Sequence, residues 1–198
     1  VVDQLAHAVG TGRRGWPVAT SAVFAVTAAV SVAQLVHPSV FHALHRDPAG
    51  LAAGQWWRAV TWMFVQDGWL AGTVFNLAIL AVVGSAFERV FGSARWLPTY
   101  FVVGLIAQIP GFFWNPYGAG NSVPVAVLFG ALVDLLIVGP RWFGARIPAA
   151  VRIWAVIVPV LAAVDTVLRD NHGIAVLLGM LVGLAMLWRR RGAGAEGR

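Results

Sequence analysis

The chain has 198 residues, of which 59% are hydrophobic and only 11% charged, and its mean hydropathy is +0.77. A soluble domain carries about 25% charged residues, so a water-soluble globular domain is excluded and one compact membrane bundle is expected. The net charge of +6 comes entirely from 14 arginines, which lie between apolar segments where membrane topology needs them, so no nucleic-acid partner is expected. The absence of cysteine excludes disulfides, a thiol nucleophile and any cysteine-based metal site.

Residues 1–15 form a short polar tail ending in Arg13-Arg14-Gly15, expected on the cytoplasmic side. Residues 16–36 are 21 residues without a charge, enough to span about 30 Å of hydrocarbon. The run exceeds the roughly 7–15 apolar residues of a signal peptide, so it reads as the first span. Residues 37–67 form a long outer loop with Trp56, Trp57 and Trp62 near its end, which suits a partly helical segment at the outer membrane interface. His42 and His45 are near ligand spacing, but no third ligand accompanies them, so neither a metal nor another cofactor is expected. Further spans are predicted over 68–87, 96–114, 123–138, 149–168 and 172–188. Together they make one six-helix transmembrane domain over 16–188, followed by a disordered cytoplasmic tail over 189–198.

Six spans place both ends on one side. On that side fall Arg13, Arg14, Arg89, Arg95, Arg141, Arg146, Arg152, Arg189, Arg190, Arg191 and Arg198, which is 11, against Arg46, Arg58 and Arg169 on the other. Positive charge marks the cytoplasmic face, so both termini are expected there, in a multi-pass protein of the plasma (inner) membrane. Trp16, Trp96, Trp142 and Trp188 read as anchors at the inner interface. Glu88 and Asp134 lie toward the inner ends of spans, where Arg89, Arg141 and Arg146 are the expected partners.

The stretch that carries chemistry is 118–130, a glycine-rich polar loop running into an apolar helix. Gly120-Asn121-Ser122 reads as a nucleophile turn, and His172 as its partner fifty residues on. Acyl transfer from an amide needs a hydroxyl beside a base, with donors for the oxyanion. A serine at a helix start also sits at the positive end of the helix dipole. The competing reading of Ser122 is a helix N-cap, which Pro124 in the first turn would suit equally. His172 can likewise be a solvated residue at the outer boundary. However, Gly179 and Gly183 lie within about 20° of it on a helical wheel, a small-residue face that permits close approach of another helix.

These features, in this order, resemble the rhomboid family of intramembrane serine proteases. The resemblance rests on Trp57-Arg58 in the first outer loop, and on Asn76, Gly84, Glu88 and Gly92 in the second helix. It continues with Gly120, Ser122 and Gly130 at the fourth helix, and His172, Ala175, Gly179 and Gly183 at the sixth. It covers 54–187 and implies an all-α six-helix bundle with a Ser122–His172 dyad, no buried Asp, and Asn76 as an oxyanion donor. The implied surroundings are the lipid bilayer, and the implied substrates are transmembrane helices of other membrane proteins. Three positions depart from the family: Val123 for the glycine after the serine, Ala126 for an aromatic that packs on the histidine, and Gly72 for a histidine one turn before Asn76. A catalytically inactive relative that binds transmembrane segments, or a structural subunit, is therefore the alternative. On the active reading, Gly72→His is expected to raise the rate. A fourth helix of 16 residues, about 24 Å long, would also force the loop 115–122 to dip into the membrane.

Overall fold

The computed structural model describes residues 6–7 and 15–196, with side chains as far as 192. Arg13, Arg14 and Arg198 of the charge count lie outside the described residues. The first span is α1, Val18–Val36. The loop that follows holds three short helices: α2, Pro38–Leu44; α3, Pro48–Ala52; and α4, Arg58–Thr61. The remaining spans are α5, Trp69–Phe91; α6, Ser93–Trp114; α7, Ser122–Phe143; α8, Ala149–Val167; and α9, Asn171–Glu196. Single π-helical turns at Leu80–Gly84 and Thr99–Val103 interrupt α5 and α6. Among the described residues there is no strand, only one antiparallel bridge between Arg46 and Gly118. This is a multi-pass membrane protein with six helices long and apolar enough to cross a bilayer.

Several helix ends differ from the sequence expectation. The fourth span has 22 residues rather than 16, because the helix continues through Gly139 and Pro140 to Phe143. Proline fits helical φ and loses only one hydrogen bond near the last turn; the helix then stops at Gly144, whose φ is +65°. At about 33 Å, α7 can cross the hydrocarbon unaided. The length of α7 therefore does not require the preceding loop to dip into the membrane. The sixth helix also runs on to Glu196, where a disordered tail was expected. Arg190 donates to the Val90 carbonyl at 3.2 Å and lies over the Phe91 ring, while Arg191 lies over Trp142. These contacts hold the turn just beyond the apolar run in place.

The core is built around α7. Its buried residues include Val123, Val125, Val127, Leu128, Ala131 and Leu135, and its largest helix–helix contact is with α9. Three glycines make that contact close. A Cβ on Gly130 would stand 2.1 Å from the Val176 carbonyl oxygen, one on Gly179 2.1 Å from that of Val127, and one on Gly183 2.6 Å from the Ala131 Cα. In a bilayer the hydrophobic effect does not favour helix over lipid, so this backbone-to-backbone packing is what selects the pair.

Two polar expectations are corrected. Among the described residues no arginine pairs with Glu88; it accepts the N–H groups of Ala19 and Thr20 at 2.9 and 2.8 Å and the hydroxyls of Thr20 and Ser93 at 2.7 and 2.6 Å. A carboxylate there satisfies the free donors at the start of α1 and complements its dipole. Asp134 is buried on α7, and among the described residues no arginine pairs with it. Of the four tryptophans read as anchors, Trp16 and Trp188 are 79% and 68% exposed, but Trp96 is wholly buried. Its indole N–H donates to the Gly84 carbonyl and its ring stacks on Tyr100 at 4.7 Å, so it is a core residue.

Candidate active site

Two helix N-termini meet at one end of the bundle. Asn121 occupies the N-cap position of α7, and Ser122 is the first helical residue. The Ser122 hydroxyl lies 2.8 Å from His172 Nε2. The cap position belongs to Asn121, whose side chain makes no capping bond. His172 is the second residue of α9. The close approach at Gly130 and Gly179 brings the first turns of the two helices within reach of each other. Asp170, just before α9, accepts the His172 backbone N–H at 2.9 Å and lies 2.7 Å from its Nδ1. Burial would raise the Asp170 pKa, but the hydrogen bonds from His172 and its charge outweigh that and hold the carboxyl below its ordinary value.

Asn76, on α5, reaches the same place from the other side. Its Nδ2 donates to Gln66 Oε1 at 2.8 Å, which leaves its second N–H available. Gly120 lies between Asn76 and Ser122. A Cβ there would stand 3.3 Å from Asn76 Nδ2 and 3.7 Å from Ser122 Oγ. Its φ of +128° also favours glycine, so backbone conformation and space both require a residue without a side chain. Gln66 is fixed in turn by Gln34 of α1, which accepts the Gln66 N–H at 2.8 Å and donates to its carbonyl at 2.7 Å.

Gly72 does not fit the role foreseen for a replacement histidine. A Cβ on Gly72 would lie 1.8 Å from the Asp67 carbonyl oxygen, so the chain entering α5 occupies the place a side chain would need. The position is closed to any larger residue while that backbone stands, and the expected gain from Gly72→His is withdrawn.

The loop ahead of Ser122 is held by Arg46, which is buried at 4% exposure. Its guanidinium donates to the carbonyls of Asn115 at 2.6 Å, Pro116 at 3.2 Å and Tyr117 at 3.4 Å, and its backbone N–H donates to Gly118 at 2.9 Å. Burial lowers the Arg46 pKa from its ordinary value, and the nearby Asp67 charge opposes that. Asp67 itself accepts the Ala119 N–H at 2.7 Å. Arg46, Asp67, Asn115, Gly118 and Ala119 line, with Ser122 and His172, a polar cavity of about 120 Å³. Larger cavities of about 290 and 540 Å³ touch neither Ser122 nor His172. Arg58 of the Trp57-Arg58 pair lies elsewhere in the loop, donating to the carbonyls of His42 and His45 at 2.7 and 2.9 Å. His45 stacks on Phe41.

Sequence reasoning brought out Ser122, His172 and Asn76, and the fold brings all three together. It missed Asp170, Arg46, Asp67, Gln66 and Gln34. Asp170 carried a usable signal, an acidic residue two before the histidine at a helix start. Gln34 and Gln66 carried only a weak one, isolated amides beside apolar runs.

The Rhomboid domain family matches residues 53–192. Among curated proteins, the chain is 35% identical over 94 residues to the rhomboid protease GluP of Bacillus subtilis (strain 168), a stretch covering 47% of this chain and 18% of that protein. It is 30% identical over 91 residues to YdcA of the same organism, which carries a provisional rhomboid-protease name; that stretch covers 44% of this chain and 45% of YdcA. The chain thus spans less than half the length of either relative it matches.

Proposed function

Because this chain belongs to the rhomboid family, we propose that it is an intramembrane serine protease that cleaves transmembrane segments of other membrane proteins. Ser122 is the nucleophile, His172 the general base and Asn76 an oxyanion donor. The observation that carries this reading is the 2.8 Å contact between Ser122 Oγ and His172 Nε2, made across fifty residues of sequence by two helices packed on glycine. As Oγ attacks the scissile carbonyl carbon, its proton passes to Nε2. The free N–H of Asn76 faces the oxyanion that forms, and Ser122 stands at the positive end of the α7 dipole. The imidazolium then returns the proton to the leaving amide nitrogen. Water, activated in the same way, releases the acyl group from Ser122.

In the membrane both termini lie in the cytoplasm and the site lies toward the outer face, as the arginine distribution favours. Ala53→Cys should react with an impermeant thiol reagent added outside, and Gly192→Cys should not; the reverse pattern would invert the topology. A fluorophosphonate probe tests the function itself. The parent protein should label, and Ser122→Ala should not. A folded parent that stays unlabelled would point to a non-catalytic member that only binds transmembrane segments.

A further inference from the structure

An imidazole joined to a helix through one Cβ has two rotatable bonds and two neutral tautomers. Only one combination presents an unprotonated Nε2 to Ser122. Among the described residues no aromatic ring lies against the His172 ring. Ala126, on the neighbouring turn of α7, is too small to confine it. The ring is held at two points, Ser122 on one side and Asp170 on the other. A single carboxylate oxygen of Asp170 takes both the ring Nδ1 and the backbone N–H of the same residue, at 2.7 and 2.9 Å.

The carboxylate is itself anchored. The Asp170 N–H donates to the Asp165 carbonyl at 2.8 Å, and Arg169 takes φ +62° to turn the chain from α8 into α9. Asn171 Nδ2 donates to Gln108 Oε1 at 2.8 Å, tying the start of α9 to α6. Gly173 packs against the Ala162 carbonyl of α8, where a Cβ would come within 2.3 Å. Asp170 is therefore held in one place relative to the ring by both flanking helices.

We propose that Asp170 is a positioning residue for His172, making the dyad the reactive end of a three-member chain; this rests on the reading of Ser122 and His172 as nucleophile and base. An ionised carboxylate can only accept, so Nδ1 carries the ring proton and the Nε2 lone pair is left for the Ser122 hydroxyl. During attack the serine proton moves to Nε2, Nδ1 keeps its own, and the carboxylate stays ionised beside the new imidazolium. Asp170 touches neither substrate nor the reacting atoms. Side-chain exposure of 44% for His172 and 52% for Asp170 means the interaction is screened by water, so its effect is far below that of a buried triad aspartate.

The test uses the full chain in proteoliposomes, with a fluorophosphonate probe and a transmembrane reporter. Asp170→Ser keeps a capping hydroxyl for the α9 N-terminus but cannot bind Nδ1 as an anion. It should lower the labelling rate and kcat about 10-fold, with KM unchanged within about twofold and Tm retained. Asp170→Asn, also a good cap, is the second variant should the serine change prove unstable. Nitrogen-15 NMR of His172 gives a readout independent of turnover: Nδ1–H in the parent, and a mixture containing Nε2–H in Asp170→Ser. Unchanged kcat in both variants, or an Nε2–H parent, would overturn the proposal. If the parent does not label at all, the nucleophile assignment fails. The tautomer shift still decides whether Asp170 sets the ring.

Discussion

α7 and α8 are similar as sequences and opposite as structures. They have 22 and 19 residues and mean hydropathies of 2.2 and 1.9, yet 61% of the α7 span is buried inside the protein against 11% of α8. The difference lies in small residues. α7 meets α9 through Gly130, Gly179 and Gly183, while α8 turns Ile153, Trp154, Val160, Leu161 and Val164 outward. In lipid, apolarity places a helix in the membrane, and the absence of side chains decides which partner it packs against. The groups that must stand 2.8 Å apart are carried by the tightly packed pair. Asn76 is carried by α5, of whose span only 22% is buried.

The contrast breaks most sharply at Gly179. Gly179→Val places carbon against the Val127 carbonyl, with no flexible side chain to yield, and should cost about 3 kcal/mol, the upper end of overpacking penalties. Val160→Ala on exposed α8 should cost under about 0.5 kcal/mol. Unfolding in detergent would compare them, and similar losses would refute the idea that α7–α9 packing governs the fold.

Asn76 separates chemistry from packing on the looser helix. Asn76→Ala should reduce turnover about 10²- to 10³-fold, as loss of one oxyanion donor does. Its cost in stability should be only about 0.6–2 kcal/mol, typical of an interhelical hydrogen bond in a membrane. Lost stability with unchanged turnover per folded molecule would remove it from the site.

Gly72→His is a smaller test of the same helix. The clash with the Asp67 carbonyl should lower stability by about 1–3 kcal/mol and leave turnover per folded molecule no higher than the parent's. A faster enzyme would mean that the entry to α5 rearranges to admit the ring.

How much of this was legible depends on the kind of information. Six apolar runs gave the spans, because hydrocarbon thickness fixes the length a helix needs. Their ends were misjudged at Pro140 and beyond Arg191, where packing and cation–π contacts override local helix breakers. Trp96 was misread because a tryptophan near a span end looks the same in sequence whether it faces the interface or the core. The glycines beside His172 made its approach to another helix readable. Asp170 was passed over although it stood two residues away, and Arg46 and Gln66 act through loop carbonyls and amides that no periodicity reports. Gly72 was read by position in a pattern; the obstacle there is a backbone oxygen from outside the helix.

The central claim is that Ser122 and His172 form one catalytic unit. The direct measurement is cleavage of a transmembrane reporter by purified parent, Ser122→Ala, His172→Ala and the double variant, each checked for folding. The parent should cleave, each single change should abolish detectable cleavage, and the double change should cost little more than either alone, since members of such a unit are not additive. Cleavage that persists in purified Ser122→Ala, or losses from the two changes that multiply independently, would contradict it.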